Sequence, residues 1–296
     1  MRRLGAEGYG ARVAPRLFVF VQFEFPWVLG PAAGRYLMRS GEGGEPEHVV
    51  VIESERGRGE PSGAGRTRIM VIDPVPLSAE QQAQAWLEDL LKDAGRAVEE
   101  ALGVVNRVMY LHRLAAADPH VHELEATEAT SARAGWGEGE ELADARWSHA
   151  RELPLGAPAR RRLFGRRSKR ERTDELMHVE RMAALLGSRE RPLVCEELAL
   201  RARLDLDSGR PAHATLELRQ ALEAAVAELR GEGRQDLVLR VDELDQLSDG
   251  VEALARRVLE SGRPGLTGEE QAGPDPEVLA HALGRLEAAL RAHQRH

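Results

Sequence analysis

"RLFVFVQFEFPWVLG", residues 16–30, holds four of the five phenylalanines of a 296-residue chain whose aromatic content is only 4%. Its alternation decides what the stretch is. Leu17, Val19, Val21, Phe23 and Phe25 fall on one face of an extended chain; Phe18, Phe20, Gln22 and Glu24 fall on the other. Aromatic and β-branched residues suit a pleated surface. Residues 16–25 are therefore expected to form a core strand, buried on both sides at its start and on one side at its end. Gln22 and Glu24 interrupt the uninterrupted apolar run of about 7–15 residues that a secretion signal needs. A spanning helix of about 20 mostly apolar residues is not expected anywhere in the chain.

Outward from this strand the pattern stays extended for some fifty residues. After a glycine-rich stretch with a short apolar piece at Tyr36–Met38, "HVVVIES" (48–54) and "TRIMVIDPVPL" (67–77) read as two more strands, suggesting an antiparallel meander. Ser78 followed by Gln81 has capping-box spacing. It opens a helix over 79–92, with a second helical piece from Gly95 to Ala117 before Asp118-Pro119. Residues 120–153 leave one or two strands open, with Trp136 and Trp147 packing back on the sheet.

Residues 153–172 combine proline, glycine and eight basic residues, Arg160, Arg161, Arg162, Arg166, Arg167, Lys169, Arg170 and Arg172, against Glu171 alone. Beyond Thr173 the period is helical throughout. Gly187, Gly209, the glycines at 231 and 233, and Gly262 mark helix ends; Pro192, Pro211 and Asp275-Pro276 mark starts. Leu237, Val241, Leu244, Val251, Leu254 and Val258 form one narrow stripe on a helix over 235–261. Leu279, Leu283, Leu286 and Leu290 form another on the last helix. The expected fold is α+β: a small, mainly antiparallel sheet with helices, followed by an all-α helical bundle half. Its expected parts are a disordered N-terminus (1–15), an α+β domain (16–153), a basic linker (154–172) and a helical bundle domain (173–296).

The bulk composition narrows function. The formal net charge is −8, which argues against nucleic acid as a partner of the whole surface. Lys92 and Lys169 are the two lysines, and the other 39 basic residues are arginines. That bias matches a GC-rich genome and lowers the weight of any one arginine run. A single cysteine, Cys195, allows no intrachain disulfide or cysteine-rich zinc site.

The hairpin around Gly209 resembles one tetratricopeptide unit, a partner-binding helix pair. Gly209, Ala214, Leu218 and Ala221 carry the resemblance, with Ala202 at the small position of the first helix. It covers about 35 residues by the repeat length of that family. Asp205 replaces the family's tyrosine, Val226 its closing proline, and no copy follows at a 34-residue period, although such arrays need about three units. Small residues at a tight helix crossing give the same pattern, so a generic hairpin stays open beside it. Arg107 and His112, and likewise Arg291 and His296, have the R-x4-H spacing of the HEPN ribonucleases, a resemblance that implies phosphodiester cleavage. His112, His120, His122 and Glu123 lie close together, with Asp118, and on a strand His120 and His122 would point to the same side, but third and fourth metal ligands are unspecified.

The preferred expectation is a non-enzymatic cytoplasmic interaction or scaffold protein. It would bind protein partners, a second copy of itself among them, through Leu237, Val241, Leu244, Val251, Leu254 and Val258, with no cofactor, no metal and no membrane. The alternatives are nucleic-acid association through the basic segment at 160–172, with docking of that segment on the acidic loop at 137–141 as its other reading, and a HEPN-like phosphodiester-cleaving enzyme.

Overall fold

The structure is a computed structural model that describes residues 16–56, 65–147, 149–155, 172–261 and 274–294. It has a six-stranded antiparallel sheet in the N-terminal half and eight α-helices among the described residues, an α+β fold with a helical C-terminal half. The strands are β1 (Leu17–Phe25), β2 (Gly34–Arg39), β3 (Pro46–Arg56), β4 (Gly65–Ile72), β5 (Ser131–Glu138) and β6 (His149–Leu153). The helices are α1 (Glu80–Lys92), α2 (Ala94–Ala115), α3 (Gly139–Ala143), α4 (Arg172–Leu186), α5 (Val194–Asp207), α6 (Pro211–Gly231), α7 (Val238–Ser261) and α8 (Pro276–His293).

The strand order is β2-β3-β4-β1-β5-β6. The opening strand is thus central, antiparallel to β4 and β5 on its two sides. This departs from a three-strand meander in sequence order, because β2, β3 and β4 pair in succession and β4 then returns to β1. The physical reason lies in burial. The strand richest in large apolar side chains gains most where both of its neighbours are strands. Phe20, Phe23 and Phe25 are buried outright, each worth about 1.5–3 kcal/mol by area. Phe20 packs on Trp147, with ring centroids 5.7 Å apart, and shares a cluster with Val51, Met70, Ile72 and Leu142. Helix α1 packs against β1 and β5 with Ala83 and Leu87 buried.

The polar side of β1 is less open than alternation suggests. Gln22 is buried, and its Oε1 has no hydrogen-bond partner among the described residues. Glu24 is half-buried and faces Arg68 at 3.3 Å and Arg66 at 3.4 Å. The turn after β1 is held by buried Thr67, whose hydroxyl donates to the Trp27 carbonyl and accepts from Leu29 N. On the other side of β1, Gly135 is required by space. A Cβ there would lie 2.0 Å from the His149 carbonyl oxygen of β6, so a side chain would push the edge strand away.

Tyr36–Met38 lies within strand β2, and the open stretch at 120–153 resolves into β5, α3 and β6. The helix after β4 is not closed by Gln81: Gln82 Oε1 accepts from both the backbone N–H and the hydroxyl of Ser78. Pro192 stands outside the helix it was expected to open, because α5 begins at Val194.

Contacts divide the chain into two compact units. Among the described residues, the first comprises 16–56, 65–108, 123–147, 149–155 and 186–188, and the second 109–122, 172–185, 189–261 and 274–294. The core of the second is built from α5, α6, α7 and α8. Among the described residues no helix is long and apolar enough to cross a membrane.

Candidate partner-binding site

The helical unit is organised around the α5–α6 hairpin. Gly209 has φ +69°, a left-handed conformation that glycine adopts without steric cost. It lets Arg210 N reach back to the Asp205 carbonyl at 2.8 Å before Pro211 starts α6. Ala202, Ala214, Leu218 and Ala221, the residues of the tetratricopeptide resemblance, are all buried. Asp205 pairs with Arg210 at the turn.

Helix α7 runs back along α6 through Arg230–Asp245 at 3.0 Å and Arg219–Glu252 at 2.6 Å. Helix α8 lies antiparallel to α7. Arg285 makes a two-pronged contact with Glu243, and Arg234 donates to the His293 carbonyl. Of the expected partner stripe, Leu237, Val241, Leu244 and Val251 are buried in this core beside Leu279, Leu283 and Leu286. Leu254 packs at the edge of the core, and Val258 is half-buried. Four residues of the stripe are therefore occupied within the chain.

What the two helices leave open is a groove of about 400 Å³ between α7 and the start of α8. Each helix contributes an i, i+3, i+4 set: Leu247, Gly250 and Val251 from α7; Val278, His281 and Ala282 from α8. Val278 is 49% exposed. Gln246, Asp275 and Glu277 complete the wall. Asp275 caps α8 by accepting from Glu277 N at 2.9 Å, which satisfies a free helix donor and places a carboxylate at the positive end of the dipole.

Elsewhere in this unit ionisable groups are tied into structure. Arg181 is buried and donates to Glu190 at 2.8 Å, to the Leu114 carbonyl at 2.9 Å and to Glu196 at 2.5 Å. Glu196 also accepts from Leu193 N and Gln294 Nε2. Glu228 of α6 accepts from Val194 N and Cys195 N, capping α5 from a neighbouring helix. Burial, with Glu228 beside it, pushes the Cys195 thiol well above its ordinary value, so the thiol stays protonated and unreactive. Burial also raises the Tyr110 hydroxyl, with Glu197 and Glu196 adding to it.

The remaining sequence candidates are dispersed. Arg160, Arg161, Arg162, Arg166, Arg167, Lys169 and Arg170 lie outside the described residues. Arg172 is the first residue of α4, and its side chain is not among those described. Arg107 is held by Glu47 at 3.1 Å and by the Arg39 carbonyl. His112 lies five positions further along the helix, about 140° around the axis, so the two point from different faces of α2. Arg291 pairs with Glu287, and His296 lies outside the described residues. His120 and His122 stand in an irregular segment rather than a strand, where His120 N donates to Asp118. Among the described residues no three His, Cys, Asp or Glu side chains are grouped as a cation site.

Sequence reasoning missed the Arg181–Glu196 network and the Glu228 cap, because, apart from the contacts of Glu190 and Leu193, the partners lie 15 to 98 residues apart. Compared with known protein families, curated proteins and solved structures, the chain matches none.

Proposed function

We propose that this is a non-enzymatic interaction protein that binds protein partners, its own copy included, through its C-terminal helical half, in a reducing compartment such as the cytoplasm. The observation that carries the reading is the α7–α8 groove, floored by Leu247, Val251, Val278 and Ala282. An apolar groove between two helices is a common seat for a partner's side chain. Further apolar side chains stand exposed on the same unit, among them Leu239, Leu259, Leu176 and Val194. The groups the sequence offered for chemistry are engaged otherwise: Arg107 by Glu47, and Cys195 as a buried thiol. The buried free thiol suits a reducing environment.

Gly250 supplies the test. A Cβ at this position meets nothing within 4 Å, so Gly250→Leu fills the groove without disturbing the packing and raises helix propensity by up to about 1 kcal/mol. Full-length Gly250→Leu is expected to melt at or above the parent temperature. It should also lose self-association in sedimentation equilibrium, or lose a protein that co-purifies with the parent from its host. Unchanged association and an unchanged set of co-purifying proteins would overturn the reading.

A further inference from the structure

We infer that the groove takes an apolar side chain carried on a basic segment of a separate partner protein; this rests on the interaction reading above and specifies its chemistry. The floor is apolar, but the surround is acidic. Asp249 and Glu277 are exposed, and no hydrogen bond or ion pair engages either side chain among the described residues. Asp275 adds a third carboxylate, used only as a helix cap. Of the arginines on α6, α7 and α8, Arg219 pairs with Glu252, Arg230 with Asp245 and Arg285 with Glu243, while Arg240 and Arg257 of α7 stand outside the residues that line the groove. Of the side chains that line the wall, His281 is the one basic group. The positive end of the α8 dipole is offset by Asp275 and Glu277 beside it.

A segment with arginines or lysines on either side of a leucine or phenylalanine answers both features. Its apolar side chain leaves water between α7 and α8, and its cations meet two carboxylates that have no partner among the described residues. Gly250 shapes the fit. With open space where a side chain would be, the groove reaches the α7 backbone, so a partner atom can approach the helix closely. Nothing in the packing of α7 demands glycine there.

The probe is a labelled, blocked 16-residue synthetic helical peptide with leucines on one face and arginines on the other. Two matched controls replace every arginine by glutamate or every leucine by serine. Fluorescence anisotropy with the full chain is expected to show saturable binding at least tenfold tighter than for either control. Gly250→Leu, and separately Asp249→Lys combined with Glu277→Lys, should each weaken it at least tenfold. Val278→Ser, at a half-exposed position, gives a second groove variant should Gly250→Leu perturb the fold. Equal binding to the parent and the groove variants would place the peptide elsewhere and overturn the inference, as would equal binding of the glutamate or the serine control. If Gly250→Leu abolishes a native association while the basic peptide shows no preference, the chemistry named here fails and the interaction reading survives. If Gly250→Leu affects neither, both fail.

Discussion

The two units bury their cores with different side chains. In the sheet unit, Phe20, Phe23 and Phe25 on one central strand are enclosed, with Trp136 buried on the neighbouring strand β5 and Tyr36 on the edge strand β2. The core of the helical unit contains no aromatic ring among its buried residues; Ala199, Ala202, Ala214, Ala221, Ala225, Ala282 and Ala289 stand with leucines and valines instead. A ring removes about 150–250 Å² from water, so a few suffice where strands lie side by side. Alanines remove little area each but let helix axes approach. The helical unit then gains definition from directional contacts, Arg181 with Glu196 and Glu228 with the α5 N-terminus. This contrast predicts different failure modes, and the four tryptophans allow them to be read apart. Trp27, Trp86, Trp136 and Trp147 all belong to the sheet unit, so their fluorescence reports that unit, whereas ellipticity at 222 nm is weighted to the helices.

The largest effect is expected from Phe20→Asp. It removes a ring that touches Trp147 and places a carboxylate among Val51, Met70 and Leu142. The cost should exceed about 4 kcal/mol, the sum of lost packing and an unpaired buried charge. The tryptophan transition should collapse to low denaturant. If it moves by less than a degree or two in Tm, β1 is not the centre of this core. If the 222 nm transition falls with it step for step, the two units unfold as one and the contrast between them has no thermodynamic meaning.

Second in size is Glu196→Ala, which leaves Arg181 buried without its main carboxylate. Breaking one partner of a buried pair typically costs about 3–5 kcal/mol. Here the Glu190 carboxylate and the Leu114 carbonyl still accept from Arg181, so about 3 kcal/mol is expected, read at 222 nm. The double variant Arg181→Met with Glu196→Leu should recover most of the loss, because apolar replacement of both partners removes the orphaned charge. Failure of the double variant to recover would show that the network matters for its hydrogen bonds to Leu193 N and Gln294 rather than for charge balance.

The contrast also explains what was legible in the sequence. Period-2 alternation in residues 17–25 and 3–4 residue spacing in 237–258 are local signals, and both elements formed as those signals require. The position of β1 between β4 and β5 was not legible, because register and order depend on long-range pairing such as Phe20 with Ile72 and Gly135. The stripe on α7 was visible as a stripe, but a narrow apolar seam looks the same whether α8 or a second molecule fills it. The groove was invisible for a related reason. It exists because α8 begins beside residues 246–251 and because position 250 lacks a side chain, and sequence spacing shows only the second of these. The Glu228 cap on α5 comes from a different helix, whereas the capping patterns readable in sequence are local, like that of Asp275 on α8.

The smallest expected effect is a pH dependence confined to the sheet unit. Burial lowers the proton affinity of His48 on β3 below its ordinary value of 6.5; Glu47 and Asp73 oppose this, and Arg107 adds to it. A histidine whose folded affinity is lowered binds fewer protons folded than unfolded between the two values, so stability rises with pH there. The contribution is complete above 6.5 and is lost as pH falls below it. Because His48 is only partly buried and faces charges of both signs, the effect should be about a degree in Tm. The measurement is the tryptophan melting temperature of the parent and of His48→Gln between pH 7.5 and 5.5. The parent should lose slightly more than the variant, with no matching difference at 222 nm beyond the contribution of α1 and α2. A variant that falls as steeply as the parent would assign the slope to carboxylates, and a parent more stable at the lower pH would mean that Glu47 and Asp73 outweigh burial at His48. Either result would sharpen the contrast by showing that the sheet unit, like the helical one, holds its charged groups by pairing rather than by exclusion from water.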